Sequence, residues 1–334
     1  MKNKDFCHLH VHNEYSVLDG LGSANNYAKK AAKLGYDYLA LTNHGNIDGL
    51  IKFQKACKEN GIKPIMGCEA YIVPNLSEKI KGESRGHITL LIKNQKGFEN
   101  ICLMLSKANL EGFYKRPRID YDLLYDHCEG LVILTGCSNS FLNLRGGYDL
   151  FYDLSDKLYG LPDAKNDLYL EVMPHDLKEQ RIINKELLNM VCKRHKLVAT
   201  NDCHYIHKED YKTQEVLLAI QSKAKWNDPN RWKFNIRGLY LKSANEMFDA
   251  FIKQDILSYT EIENALYNTI EIAEKCSSFE IKKQEIFLPK VSGYNIENES
   301  DFLYGLCLDK LKKIKKHSIY EAYLNRLDFE FSLI

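Results

Sequence analysis

Residues 24–42, ANNYAKKAAKLGYDYLALT, hold one complete structural unit: an amphipathic helical stretch, a glycine that stops it, and a short apolar run rich in β-formers. Gly35 ends the helical stretch as a C-cap does, since a residue without Cβ adopts the left-handed conformation at no steric cost. The pattern then repeats. Residues 48–61, DGLIKFQKACKENG, read as a second amphipathic helix ending in Gly61, and a β-rich run follows at 64–72. Further apolar runs at 7–11, 88–93, 131–135, 168–172 and 197–201 bring the candidate strands to seven. Strands alternating with helices predict a parallel, barrel-like α/β sheet, with functional groups gathered at the C-terminal ends of its strands.

After about residue 210 the pattern turns mainly helical. In TEIENALYNTIEIAEKC the residues Ile262, Leu266, Ile270 and Ala273 form an apolar stripe, and Thr260 with Glu263 offers a capping box at its start. Residues 287–298, with Pro289 and Gly293, read as an extended polar linker, and a last helical segment from about Ser300 carries the basic run KLKKIKK. The domain reading is a barrel over 1–285 followed by a linker and helical extension over 286–334.

Composition narrows the classes. Hydrophobic residues are 45% and charged residues 27% of the 334, values of a soluble globular protein, and no apolar run approaches the roughly 20 residues of a membrane span. The start, MKNKDFCHLH, has no signal-peptide core, so the expected location is cytoplasmic. Lys plus Arg (46) balances Asp plus Glu (45), and any nucleic-acid contact must come from local patches. The ten cysteines form no CxxC pair, which argues against a zinc ribbon or a secreted disulfide framework.

The chemistry begins at His10-Val11-His12, where residues i and i+2 of a strand face one side and both imidazoles can reach one ion. An isolated HxH is weak; its recurrence at strand ends is not. His44 follows the run 38–42, Glu69 lies late in 64–72, Cys137 follows 131–135, and Asp202 and His204 follow 197–201. Imidazole, carboxylate and thiolate together favour zinc, manganese or iron, with magnesium also possible.

These stretches carry a resemblance. HLHVHNEYSVLDG, ALTNHGNIDG, GIKPIMGCEAYI, GHITLLIKN, EGFYKRPRID, TNDCHY, NDPNR and LYLKSANEMF, in order from about residue 6 to about 290, resemble successive motifs of the PHP (polymerase and histidinol phosphatase) domain at the N-terminus of bacterial DNA polymerase III alpha subunits. The resemblance implies the PHP fold, a distorted (β/α)7 barrel, and nine ligand positions: His10, His12, Asp19, His44, Glu69, His87, Cys137, Asp202 and His204. Asp19 and His87 enter mainly through it, since His87 precedes its strand. Asn43 stands where the family often has Asp, a neutral amide that would orient His44 with less polarisation. Members with all nine positions bind up to three metals and include phosphoesterases and 3′ to 5′ exonucleases. Asp19, Glu69, Cys137 and Asp202 would bring four negative charges against the four to six positive charges of two or three divalent ions, leaving a site receptive to phosphate.

Three basic clusters are candidate DNA contacts: Lys115, Arg116 and Arg118; Lys223, Lys225, Arg231 and Lys233 with Trp226 and Trp232; and Lys310 through Lys316 on a helix with a Leu308, Leu311, Ile314 stripe. Solvated charge over core aromatics is the plain alternative for each. His8 and the Asp120-Tyr-Asp122 pair are read as structural, Glu171 and His175 as structural or surface residues ahead of a supporting or substrate role at the site, and His127, His195, His207 and His317 as ordinary. In the family a polymerase palm follows the PHP module; this chain ends at RLDFEFSLI, so it is expected to extend no primer alone. The leading functional expectation is a hydrolytic PHP module whose partners are DNA, the remainder of the polymerase and a proofreading subunit, with no membrane. The alternatives are a phosphatase for a small ester such as histidinol phosphate, favoured less because of NDPNR and LYLKS, and a scaffold in which metals serve only stability.

Overall fold

The computed structural model describes residues 2–79, 85–282, 299–315 and 318–333. The chain divides into two compact units, Met1–Ile281 and Lys282–Ile334. The first carries a seven-stranded sheet: β1 (Tyr38–Leu41), β2 (Lys63–Val73), β3 (Gly86–Ile92), β4 (Arg118–Asp120), β5 (Leu131–Leu134), β6 (Leu168–Val172) and β7 (Lys196–Ala199). Their order is β1-β2-β3-β5-β6-β7, with β4 paired to β2.

The sheet is mixed where an all-parallel one was expected. β3 runs antiparallel to both β2 and β5, while the other pairs are parallel. The reversal matters for the site. An antiparallel strand begins at the rim where its parallel neighbours end, so His87, opposite Tyr71 late in β2, sits on the same rim as Glu69.

The expected strand at 7–11 forms no ladder; a bend at His10 leaves one bridge, Val11 with Cys203. Its backbone nonetheless spans a gap. On one side Ala40 N–H donates to His8 O and Thr42 N–H to Val11 O, both at 2.9 Å; on the other His12 N–H donates to Cys203 O at 2.7 Å and Cys203 N–H to His10 O at 3.0 Å. This segment therefore joins the β1 edge to the chain leaving β7 and curls the sheet towards a barrel.

Alternation along the strands builds two apolar layers. Ala40, Ile65, Leu91, Val132, Leu134 and Val198 turn to one face with Cys7 and Leu9, packed against Ile272, Ala273 and Cys276 of the helix Tyr259–Cys276. The opposite face, including Leu39, Leu41, Met66, Cys68 and Ile133, packs under the surrounding helices such as Ala24–Leu34 and Leu50–Glu59. Gly35 caps the first of these at φ 80°, as read from the sequence. In Tyr259–Cys276 the capping box is Ser258 with Glu261, two residues before the expected Thr260 and Glu263, because Ser258 keeps extended backbone (φ −67°, ψ 162°) just before the helix starts. Ile262, Leu266 and Ala273 are fully buried on this helix, and Ile270 is partly buried.

His8 is buried behind the site. Its Nε2–H donates to Lys242 O at 2.9 Å and its Nδ1 lies 3.4 Å from Cys203 Sγ. Burial lowers its pKa from the usual 6.5 to about 4. The unfolded chain therefore takes up a proton between pH 6.5 and 4 that the folded chain refuses, and this part of the stability is complete above pH 6.5 and lost as pH falls towards 4. Denaturant melts at stepped pH should show His8→Gln losing less stability than the wild type over that window, by on the order of 3 kcal/mol. Parallel pH profiles of the two proteins would contradict this account of His8.

The second unit pairs two helices, Glu299–Lys312 and Tyr320–Phe331, through a Tyr304 Oη to Asp328 Oδ1 hydrogen bond of 2.5 Å and a Tyr304–Phe331 ring contact. Lys310 is exposed and Leu308, Leu311 and Ile314 are half-buried; the expected linker at 287–298 and Lys316 lie outside the described residues. No helix among the described residues is long and apolar enough to cross a membrane.

Candidate metal centre

All nine sequence-predicted ligand positions meet at one rim of the sheet. Three overlapping triads have donor atoms within 4.8 Å of one another: His12, His44 and His204; His10, His12 and Asp202; and His44, Glu69 and His87. Asp19 joins through Oδ2, 3.2 Å from His44 Nε2, and Oδ1, 3.6 Å from His204 Nε2. Cys137 Sγ lies 3.5 Å from His87 Nδ1 and 3.7 Å from Glu69 Oε1. Glu69 sits centrally, with Oε2 2.5 Å from His44 Nδ1 and Oε1 2.9 Å from His87 Nδ1.

The loops bearing these groups are locally strained or tightly turned. Leu18, next to Asp19, and Asp202 itself adopt positive φ (61° and 49°), a conformation of non-glycine residues concentrated at functional sites. Gly136 has φ 87°, and a Cβ there would come within 2.7 Å of His87 O, so only glycine turns the chain from β5 to present Cys137.

Hydrogen bonds fix the histidine tautomers. His10 Nδ1 is 2.7 Å from Glu171 Oε1, and a carboxylate oxygen only accepts, so Nδ1 carries the proton and Nε2 presents its lone pair. His204 Nδ1 donates to the Asp202 carbonyl at 2.9 Å. His12 Nδ1 donates to Ser16 Oγ at 2.9 Å, and that hydroxyl donates in turn to Asn43 Oδ1 at 2.9 Å. Asn43 thus acts on His12 through Ser16 and also holds Asn13; it makes no hydrogen bond to His44, the partner expected from the sequence. This is the arrangement of metal-ligating imidazoles, one nitrogen donating to an oxygen and the other left free.

The free atoms provide the fit test for metal. His10 Nε2, His12 Nε2, His44 Nδ1, His204 Nε2, Glu69 Oε2 and Asp202 Oδ1 are all buried without a hydrogen-bond partner. Several lie within ion-pair distance of one another, such as His12 Nε2 and Asp202 Oδ1 at 3.1 Å, yet not in hydrogen-bonding geometry. Buried polar atoms are rarely left unsatisfied, and six converging on one spot fit divalent cations.

The electrostatics agree. Against the cost of burial, His204 and His10 hold the Asp202 carboxyl well below the carboxylate range, and His87, His44 and His10 do the same for Glu69. Asp19 is lowered to about 2, with His204 and His44 outweighing burial. Burial and the neighbouring His44 and His204 lower His12 to about 3, keeping its ring neutral. Burial and Glu69 push the Cys137 thiol up, a shift that a bound cation would reverse.

Glu171 emerges from the structure with more weight than its sequence position gave it. It is fully buried; Oε1 accepts from His10 Nδ1–H and Thr200 Oγ1 (2.7 Å each), and Oε2 from Gly136 N–H (2.8 Å) and Thr89 Oγ1 (3.2 Å). One carboxylate thereby ties His10 to the chain segments leading to Cys137 and Asp202. His175 is buried on Asn201 O, beside the site. Asp120 caps the helix Tyr121–Asp126 by accepting from Leu123 N–H, in keeping with a structural role.

Among the basic candidates, Arg118 is 3% exposed and donates to Gly112 O and Glu78 O, while Arg231 is held by Glu215, so neither faces a ligand. Lys115, Lys223 and Lys225 are exposed, and Arg116 lines the cavity over the centre.

Comparison with known proteins gives the same frame. A family pattern described as PHP domain matches residues 8–175, half of the chain, and spans seven of the nine positions, His10 to Cys137. A DNA polymerase III subunit alpha of Borreliella burgdorferi is 36% identical over 95% of this chain and 28% of its own length, and one of Helicobacter pylori is 38% identical over 82% and 23%. The chain thus spans about a quarter of the length of these curated relatives. A solved Bifidobacterium adolescentis structure, provisionally described as a metal-dependent phosphoesterase, shares 14% identity at a TM-score of 0.40 over 73% of this chain and 96% of its own. By the match of its sequence, the chain belongs to the PHP domain family.

Proposed function

We propose that this chain is the PHP module of a bacterial replicative DNA polymerase alpha subunit and that its centre hydrolyses phosphodiesters, removing nucleotides from the 3′ end of single-stranded DNA. The observation that carries the reading is the set of six unpartnered buried donor atoms, drawn from residues far apart in the chain and gathered in three overlapping triads at one rim of the sheet. Two or three divalent ions held by the nine side chains would polarise a phosphoryl oxygen and acidify a bound water.

The chain's own groups supply orientation. Glu171 keeps the His10 proton on Nδ1, Ser16 and Asn43 keep the His12 proton on Nδ1, and the Asp202 carbonyl does so for His204, so three Nε2 lone pairs point inward. Asp19, Glu69 and Asp202 stay ionised near neutral pH and offset cationic charge. The relatives' names, DNA polymerase III subunit alpha, support a setting in DNA replication, and the partners in this reading are the rest of the polymerase and a proofreading subunit.

With Mn²⁺ or Zn²⁺ supplied, the purified protein should release mononucleotides from 3′-labelled single-stranded DNA, and chelator should abolish the release. Intact DNA alongside hydrolysis of histidinol phosphate would favour a small-ester phosphatase instead. Inertness on every ester, with retained binding to polymerase components, would leave a scaffold.

A further inference from the structure

Over the candidate centre lies a cavity of about 430 Å³, within the range of small-molecule sites. Its two walls differ in chemistry. On one, the guanidinium carbons of Arg85 and Arg116 lie 5.1 and 6.0 Å from the centroid of the Tyr71 ring. Among the described residues no carboxylate lies within 4.0 Å of either arginine. Both guanidiniums stand against the same ring, so an anion taken up beside them would relieve like-charge crowding. Tyr71 itself stands against His44 and His87, at 5.9 and 5.2 Å between ring centroids, which sets this cationic wall directly beside the metal-binding rim.

The other wall is aromatic. Trp232 is 53% exposed, meets Phe234 edge-on at 5.0 Å, and Phe234 lies 5.1 Å from His204. A large indole left half in solvent over a polar cavity is a surface on which a flat ring can stack.

We propose that this cavity is a nucleotide subsite: Arg85 and Arg116 take a phosphate and Trp232 with Phe234 takes the base. The inference rests on the phosphodiesterase reading and adds to it the substrate class, a nucleoside phosphate in preference to a bare phosphate ester. Base stacking on aromatics is tolerant of sequence, so the subsite selects for a base without choosing among bases.

The test compares dAMP with 2-deoxyribose 5-phosphate, which share the phosphate and differ in the base. The chain has two tryptophans, so Trp226→Phe leaves Trp232 as the reporter. With Zn²⁺ present, dAMP should quench Trp232 fluorescence and bind about fivefold or more tighter than the sugar phosphate by calorimetry. Trp232→Ala should erase that preference while keeping sugar-phosphate affinity, and Arg85→Met with Arg116→Met should weaken both ligands together. These side chains are at the surface or half-buried, and an unchanged melting curve confirms that each variant folds. Equal affinities for the two ligands, or a Trp232 signal indifferent to dAMP, would overturn the subsite. The parallel nuclease assay separates this from the hydrolytic reading: mononucleotide release without base preference sinks the subsite alone, and base preference without release supports the subsite and sinks the hydrolysis.

Discussion

Replacing His10 and His12 together by alanine is expected to remove at least one metal ion per chain and to lower the unfolding midpoint. His12 belongs to two of the three triads and His10 to one, so the pair touches most of the donor set. Because such ligands converge only in the folded chain, the ions' binding energy is also folding energy. A second loss comes from Glu171: without His10 its buried carboxylate keeps Thr200, Gly136 and Thr89 but loses the Nδ1–H donor, at a cost of about 1.5–3 kcal/mol. The two contributions separate on adding chelator. Chelation should lower the midpoint of the wild type clearly and that of the double variant much less. Unchanged metal content in the variant, measured by elemental analysis, would refute the ligand assignment.

Asp202→Asn is expected to keep the fold and lose most of the hydrolytic rate. Asparagine tolerates the left-handed backbone at φ 49° as well as aspartate does, so the loop that also presents His204 should survive. What changes is Oδ1, which lies 3.1 Å from His12 Nε2 and 3.4 Å from His10 Nε2, and whose negative charge an amide does not replace. An amide N–H turned to either imidazole would also occupy a lone pair needed for metal. Losing an outer-shell partner of a metal ligand costs roughly 10- to 100-fold, and removing a charged group at the centre should cost at least as much. Turnover measured under saturating Mn²⁺ should fall accordingly, with a melting midpoint near that of the metal-free wild type. A variant turning over at the wild-type rate would place Asp202 outside the chemistry.

How far the sequence revealed these features depends on how local each signal is. β1, β5, β6 and β7 are short apolar runs bounded by turn residues, and they fall within two residues of their expected ranges. β4 escaped notice because three residues, Arg118–Asp120, are too few to show a period of two. The direction of β3 carries no sequence signature, and with that direction unknown His87 stood on the wrong side of its strand for a strand-end rule; it was supplied mainly by resemblance. Asn43 was assigned to the adjacent His44 because sequence neighbours are the natural partners to consider, whereas the turn at 13–16 brings Ser16 between Asn43 and His12. Glu171 was named from the sequence without a partner; the signal for its weight was a charged residue inside the apolar run LYLEV, since a carboxylate in a buried strand needs partners. His8 is structural, as expected, through its bonds to Lys242 and Cys203.

The account stands most directly on the metal content of the wild-type chain. Purified protein equilibrated with Zn²⁺ or Mn²⁺, freed of loose ions by gel filtration and measured by elemental analysis, should retain two or three ions per chain. A chain that retains none, while melting at an unchanged temperature with or without chelator, would contradict the reading of the converging donor atoms as a metal centre.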